Sequence, residues 1–218
     1  MVAQITEGTA FDKHGRPFRR RRFVPAVLMF AALAVAALLV WVMALSRPPD
    51  IQEAAVCNPP PAPADPNAPP IDLGEQVSRE SMIEVTPAKL ADTHIRVLNA
   101  SGQGGQAAEV AGALRDLGFA EPEAANDTIY ESVRLQCQGQ IRFGPSGRAA
   151  AAAVWLVAPC TELFQDQRTD DTVDLAVGTD FSELTHSDDI DAMLASLMPE
   201  ATQPADPALL AKIHNGTC

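Results

Sequence analysis

The first long apolar stretch runs from Phe23 to Leu45, FVPAVLMFAALAVAALLVWVMAL, with no charge in it. A helix of that length rises roughly 34 Å, enough for a hydrocarbon core of about 30 Å. Pro25 falls in the first turn, where a missing N–H costs nothing, and Trp41 stands near the far end, where an indole suits an interface. Signal-peptide cores run roughly 7–15 residues, so the segment reads as an uncleaved anchor rather than a leader cut near Val42-Met43-Ala44. The pattern then stops. Residues 46–71 hold nine of the chain's 18 prolines, which excludes a helix or a central strand and predicts an extended spacer.

Periodicity returns after a mixed polar lead-in over 72–93. His94–Asn99 alternates like a short strand, and Asn99-Ala100-Ser101-Gly102-Gln103-Gly104-Gly105 reads as a turn. Ala107, Val110, Ala111, Leu114 and Leu117 follow at helical spacing, with Gly118 as a stop. A second unit repeats the plan: Gln140–Phe143 as a strand, Gly144–Gly147 as a turn, Ala149–Val157 as an alanine-rich helix. Thr161–Gln167 and Val173–Val177 look like strands. In the tail, Ile190, Met193, Leu194 and Leu197 make an apolar helical stripe behind Asp188-Asp189. Asp206 and Pro207 mark the N-cap and first residue of a last helix over Ala208–His214. The expected fold class is α+β: one transmembrane helix, a Pro-rich linker, a small extracytoplasmic β-α-β-β-α-β-β sandwich and C-terminal helices packed on it. The expected divisions are a basic tail 1–22, a span 23–45, a linker 46–71, a domain 72–187 and a helical extension 188–218.

Charge turns this order into a topology. The net charge is −12, but residues 1–22 carry six of the 16 basic residues and two of the 28 acidic ones. Arg19–Arg22 abut the apolar segment, so the positive-inside rule keeps the N-terminus cytoplasmic and sends residues 46–218 across. The exported part is strongly acidic, which argues against nucleic acid as a partner because phosphate binding needs a surplus of Lys and Arg. All four cysteines, Cys57, Cys137, Cys160 and Cys218, lie on the exported side. There they are expected to form disulfides, with Cys137–Cys160 and Cys57–Cys218 the favoured pairing of three possible. No C-x-x-C is present and the histidines are scattered, so no metal is expected.

Candidate chemistry is thin. Gly102-Gln103-Gly104-Gly105-Gln106-Ala107 fits G-x-G-x-x-A between a strand and a helix. A dinucleotide site is not expected, because the repeated β-α-β unit is missing and Ser101 offers a simpler role as a helix cap. An anionic or sugar ligand at this helix start remains open, and Asn99, Ser101, Gly102, Gly104 and Gly105 are the candidate ligand-binding residues. Asp170-Asp171-Asp174 and Asp188-Asp189-Asp191 lack the glycine and terminal glutamate of a calcium loop and read as solvated acids. Ser146 is not in a nucleophile elbow, so no catalytic residues and no cofactor are expected. Three Asn-x-Ser/Thr sequons, at Asn99, Asn126 and Asn215, would matter only in a eukaryotic secretory path.

The stretch Ile95-Arg96-Val97-Leu98-Asn99-Ala100-Ser101-Gly102, then Gly105-Gln106-Ala107-Ala108, Leu114 and Leu117-Gly118-Phe119, resembles the start of the LytR C-terminal domain, a module of bacterial envelope proteins. With the basic N-terminus, the single span, Cys57-Asn58-Pro59-Pro60-Pro61, Gln138–Gly144 and Cys218, the whole chain resembles actinobacterial envelope-integrity proteins. The resemblance implies a single-pass membrane protein that maintains the permeability barrier and intrinsic antibiotic tolerance. LytR-type proteins usually add a phosphotransferase domain, and nothing before residue 94 could hold one, so no transferase activity carries over. The expected function is contact with a wall component or an envelope protein. The rivals are an enzyme on wall glycopolymers, with Asn99–Gly105 as its substrate site, and a scaffold acting through the C-terminal helices.

Overall fold

A computed structural model describes residues 24–46, 56–63, 65 and 67–215. The basic tail and Cys218, on which the charge and pairing arguments partly rest, lie outside these residues. Two units are present. The first is helix α1, Val24–Ser46, which matches the expected span within one residue at each end. Its Val24–Trp41 stretch has a mean hydropathy of 2.5 and no buried side chain, so it is long and apolar enough to cross a membrane.

The second unit carries strands β1 Glu75–Gln76, β2 Ile95–Asn99, β3 Glu123–Asn126, β4 Gly139–Phe143, β5 Glu162–Gln165 and β6 Val173–Val177. Its helices are α2 Arg79–Ile83, α3 Gln106–Asp116, α4 Arg148–Val157, α5 Asp188–Leu197 and α6 Pro207–Asn215. From β2 to β6 the order is the β-α-β-β-α-β-β read from the pattern. The lead-in over 72–93, whose mixed polar sequence suits a short helix or loop, holds the short helix α2 and adds β1, which two polar residues did not announce. The sheet runs β1-β5-β4-β6-β2-β3. Two β-α-β units, β2-α3-β3 and β4-α4-β5, join parallel neighbours through a helix, so the repeated β-α-β unit read as missing is present. The two are not consecutive strands of one parallel sheet, because β6 lies between them, antiparallel to β4 and parallel to β2.

One face of the sheet holds the main core. Ile95, Val97, Ile141, Phe143, Leu163, Val173, Leu175 and Val177 pack there against α3, α4 and the two C-terminal helices. Every residue of α4 from Ala150 to Val157 is buried. That explains its alanines: a helix enclosed on all sides needs small side chains to approach its neighbours. Trp155 of α4 stacks on His214 of α6, ring centroids 3.7 Å apart, and the Arg79 guanidinium sits 5.0 Å from the Trp155 ring. The tail helices therefore pack on the domain. Ser187 caps α5 through its side chain, and Asp206 accepts from the Ala208 N–H at 2.9 Å, as the acid–proline start predicted.

The other face is polar and roofed. Alternation along β4 and β6 puts Gln140, Arg142 and Asp174 there, and all three are buried. The segment after β3 folds over them. Asp127 accepts from Arg142 Nη1 at 2.8 Å and from the backbone N–H groups of Ile129 and Tyr130 at 2.7 and 2.9 Å. Arg142 also donates to Gln140 Oε1. Tyr130, Leu135, Cys137, Ala100 and Ala176 close a second, small apolar cluster over this network.

The favoured disulfide pairing is corrected here. Cys57 is bonded to Cys137, with their Cα atoms 5.0 Å apart, so neither Cys137–Cys160 nor Cys57–Cys218 forms. Cys137 is buried in the roof cluster, while Cys160 stands in the turn after α4 and is itself disulfide-bonded. Loop length ranked the nearer pair first because it cannot register which face of the sheet a cysteine occupies. The bond also holds Cys57 and Asn58, within the expected spacer, on the domain. Asn58 accepts from the Gln136 N–H at 2.6 Å and from the Tyr130 hydroxyl at 2.9 Å, and it donates to the Arg134 carbonyl.

Removing one member of a buried ion pair leaves an uncompensated charge, so Asp127→Ala is expected to destabilise the domain by about 3–5 kcal/mol in denaturant titration. His214 gives a pH test. Its Nδ1 is buried without a hydrogen-bond partner, and burial, with the Arg79 charge adding to it, lowers its pKa from 6.5 to about 4. The unfolded chain protonates first on acidification, so stability should be full above pH 6.5 and fall by up to about 3 kcal/mol toward pH 4. His214→Phe should flatten that part of the stability–pH curve.

Candidate functional site

The candidate site is the connection from β2 to α3. Asn99, the last residue of β2, anchors it. Its Oδ1 accepts from the Ser101 N–H, the Ser101 hydroxyl and the Gly102 N–H at 3.1–3.2 Å, while its Nδ2 donates to the Gln103 carbonyl at 2.7 Å. This is an Asx-turn, in which a short amide side chain mimics the backbone. Gly102 has φ +73° and Gly105 has φ +88°, left-handed values that side chains disfavour, so both glycines are required by the path of the chain. Gly104 is exposed with open space around it and is not.

Ser101 does not cap the helix. α3 begins after Gly105, which has no capping side chain, and the two left-handed turns put Ser101 too far back to reach its first N–H groups. Instead Ser101 is buried as a pin. Its Oγ accepts from the Gln103 N–H at 3.0 Å and lies 2.5 Å from Gln106 Oε1, and Gln106 Nε2 donates to the Phe181 carbonyl. The side chains of Asn99, Ser101 and Gln106 are thus committed to one another and to the fold, while that of Gln103 is exposed.

What faces outward is shape. Asn99, Gly105, Ala107 and Ala108 meet Ala124, Ala125 and Asn126 of β3 around a hollow of about 260 Å³. Of the five candidate residues, Asn99 and Gly105 line it, Ser101 is buried below, Gly102 lies against Arg134, and Gly104 is exposed. The β3 side of the hollow was missed by sequence reasoning, because Glu123-Ala124-Ala125-Asn126 shows neither alternation nor β-branched residues. A second hollow, about 470 Å³, opens at the start of β2 and β3 and includes Arg96, Glu121 and Glu123. A third, about 360 Å³, lies between the turn after α4 and residues 181–186.

Of the acids weighed for calcium, Asp170, Asp188 and Asp191 are exposed, and Asp171, Asp174 and Asp189 meet basic side chains. Asp174 is buried and bonded to Arg96 at 2.7 Å and to Arg168 at 2.8 Å, so it is an ion-pair partner rather than a solvated acid. Arg168 also holds Asp166 at 2.6 Å. Burial would push the Asp166 carboxyl up, but its bonds to Arg168 hold it below the usual range. Arg168 is raised in turn by Asp166 and Asp174 against its own burial. Asp189, in the first turn of α5, meets Lys212 of α6 at 2.7 Å.

Residues 92–181, the span from just before β2 to just past β6, match the family model described as LytR cell envelope-related transcriptional attenuator. Over its full length the chain is 67% identical to the cell envelope integrity protein Cei of Mycobacterium tuberculosis, covering all of both chains. The chain belongs to the Cei family. A solved structure is similar as well: the soluble domain of a conserved hypothetical secreted protein from Mycobacterium marinum, 68% identical, with a TM-score of 0.67. The match covers 68% of this chain and all of that one. Membership of the Cei family fits the observed pairing of an apolar N-terminal helix with a small α+β domain.

Proposed function

We propose that this protein is a single-pass anchor with its N-terminus in the cytoplasm, and that residues 46–218 work outside the membrane to maintain the envelope permeability barrier, antibiotic tolerance included. The carrying observation is the full-length match to a protein named for cell envelope integrity. The domain acts by contact, binding a wall component or an envelope protein, and not by catalysis. The state of the Asn99–Gly105 loop supports this. Its Asn99 and Ser101 side chains are engaged internally, which fixes a shape beside β3 but leaves no paired acid and base at the surface. A fixed shape lowers the ordering cost of binding, which favours a recognition role. The Asn99–Gly105 turn acts as the frame of the contact surface, and the hollow between α3 and β3 is its centre.

A phosphatase reporter fused after residue 218 should be active in cells, and a reporter active only in the cytoplasm would overturn the topology. For the contact surface, the double variant Ala108→Arg/Ala124→Arg fills the hollow with side chains at positions that already face solvent. It should fold with unchanged melting behaviour, yet cells carrying it as their sole copy should take up more dye and lose antibiotic tolerance. An intact barrier in those cells would count against this surface.

A further inference from the structure

β3 ends the sheet and, among the described residues, pairs with β2 alone. All four of its residues are exposed. An outer strand offers a row of unpaired N–H and C=O groups, which proteins ordinarily blunt with lysine, proline, a bulge or a covering element. The two central side chains of β3 are alanines, too small to shield its backbone. The two hollows beside the strand sit at its two ends: the alanine-lined one at Ala124–Asn126 and the acidic one at Glu121 and Glu123. Near that second hollow the cations are already occupied. Arg96 is paired with Asp174, and Arg115 donates to the Pro122 carbonyl at 3.4 Å. Glu121 and Glu123 are left without a partner charge among the ion pairs of the described residues.

We propose that β3 is a docking edge for an extended peptide carrying lysine or arginine. This names the partner class for the contact surface above and rests on that reading. The peptide adds as a seventh strand. Its main chain bonds the outward N–H and C=O groups of residues 123–126, a small side chain enters the alanine-lined hollow, and a basic one meets Glu121 and Glu123. A polypeptide fits this edge better than a glycan because a sheet ladder needs amides at strand spacing. Anionic wall polymers are further disfavoured by the acidic end.

The test uses the full-length chain in phosphatidylcholine nanodiscs and follows backbone hydrogen exchange by mass spectrometry. The probe is a synthetic ten-residue peptide alternating lysine with valine and threonine, compared with the same peptide in which glutamate replaces lysine. The lysine peptide should slow exchange over 121–127 by about tenfold or more, and the glutamate peptide should not. Glu121→Lys/Glu123→Lys, at exposed positions, should reverse that preference. Equal protection by both peptides, protection elsewhere, or none at millimolar peptide overturns the proposal. Protection of the same segment by purified wall glycan fragments, without protection by peptide, overturns the peptide class and leaves the contact reading standing. That reading fails separately, if the hollow-filled variant keeps its barrier.

Discussion

The α+β domain depends on how it buries Arg142. A six-stranded sheet with its helices on one face has a second face that must be wet or covered, and here that face carries a guanidinium with only 4% of its side chain exposed. A buried cation is tolerated only when it is paired and its donors are satisfied. Asp127 and Gln140 satisfy it, and Asp127 is itself fixed by two backbone N–H groups. One carboxylate therefore ties β4 to the segment following β3. Without that segment in place, the charge beneath it would have no acceptable environment.

The roof in turn holds the start of the proline-rich run on the domain. Tyr130 and Cys137 belong to the roof, and through them Asn58 and Cys57 are held down. A disulfide closing a separation of 80 residues restricts the unfolded chain far more than a local one would, roughly 4–5 kcal/mol in the chain-entropy model. The start of the proline-rich run, Cys57-Asn58, is therefore part of the folded unit. The run's prolines suit this role as well as a spacer's. A chain already biased toward an extended path loses little entropy when it is laid across a surface.

The order of elements was legible because the main core sits on one face and writes a period into each strand and helix that touches it: Ile95 and Val97, Val110 and Leu114, Ile190, Met193 and Leu197. The helix starts at Asp188-Asp189 and at Asp206-Pro207 were legible because first-turn acids and capping are local signals, whereas the cap Ser187 was not picked out. The roof was not legible. Asp127, Tyr130 and Arg142 are 15 residues or fewer apart, but their meaning depends on which face of β4 each side chain takes. The same blindness misplaced the disulfide. At the loop, Asn99 and the glycines were found through turn chemistry, but Ser101 was misread as a cap because the left-handed turns at Gly102 and Gly105 lengthen the path to α3. The expected order held a place for β3 but no residues were assigned to it, because it is exposed throughout and no burial pattern marks it.

That exposure is informative when set against the rest of the molecule. Elsewhere this domain engages its buried polar groups: Asn99 bonds its own loop, Asp127 and Asp174 meet arginines, and a roof and a disulfide cover its polar face. A fold that guards its polar groups so thoroughly has the means to guard a sheet edge, since one lysine or proline within β3 would suffice. At the opposite edge the sheet ends in β1, two residues long, which is one of the usual ways to blunt a sheet. The four-residue open edge and the two hollows beside it fall together on the other side, next to the turn that Asn99 pins. Shape is fixed there and backbone is left available, which is the combination that strand addition requires.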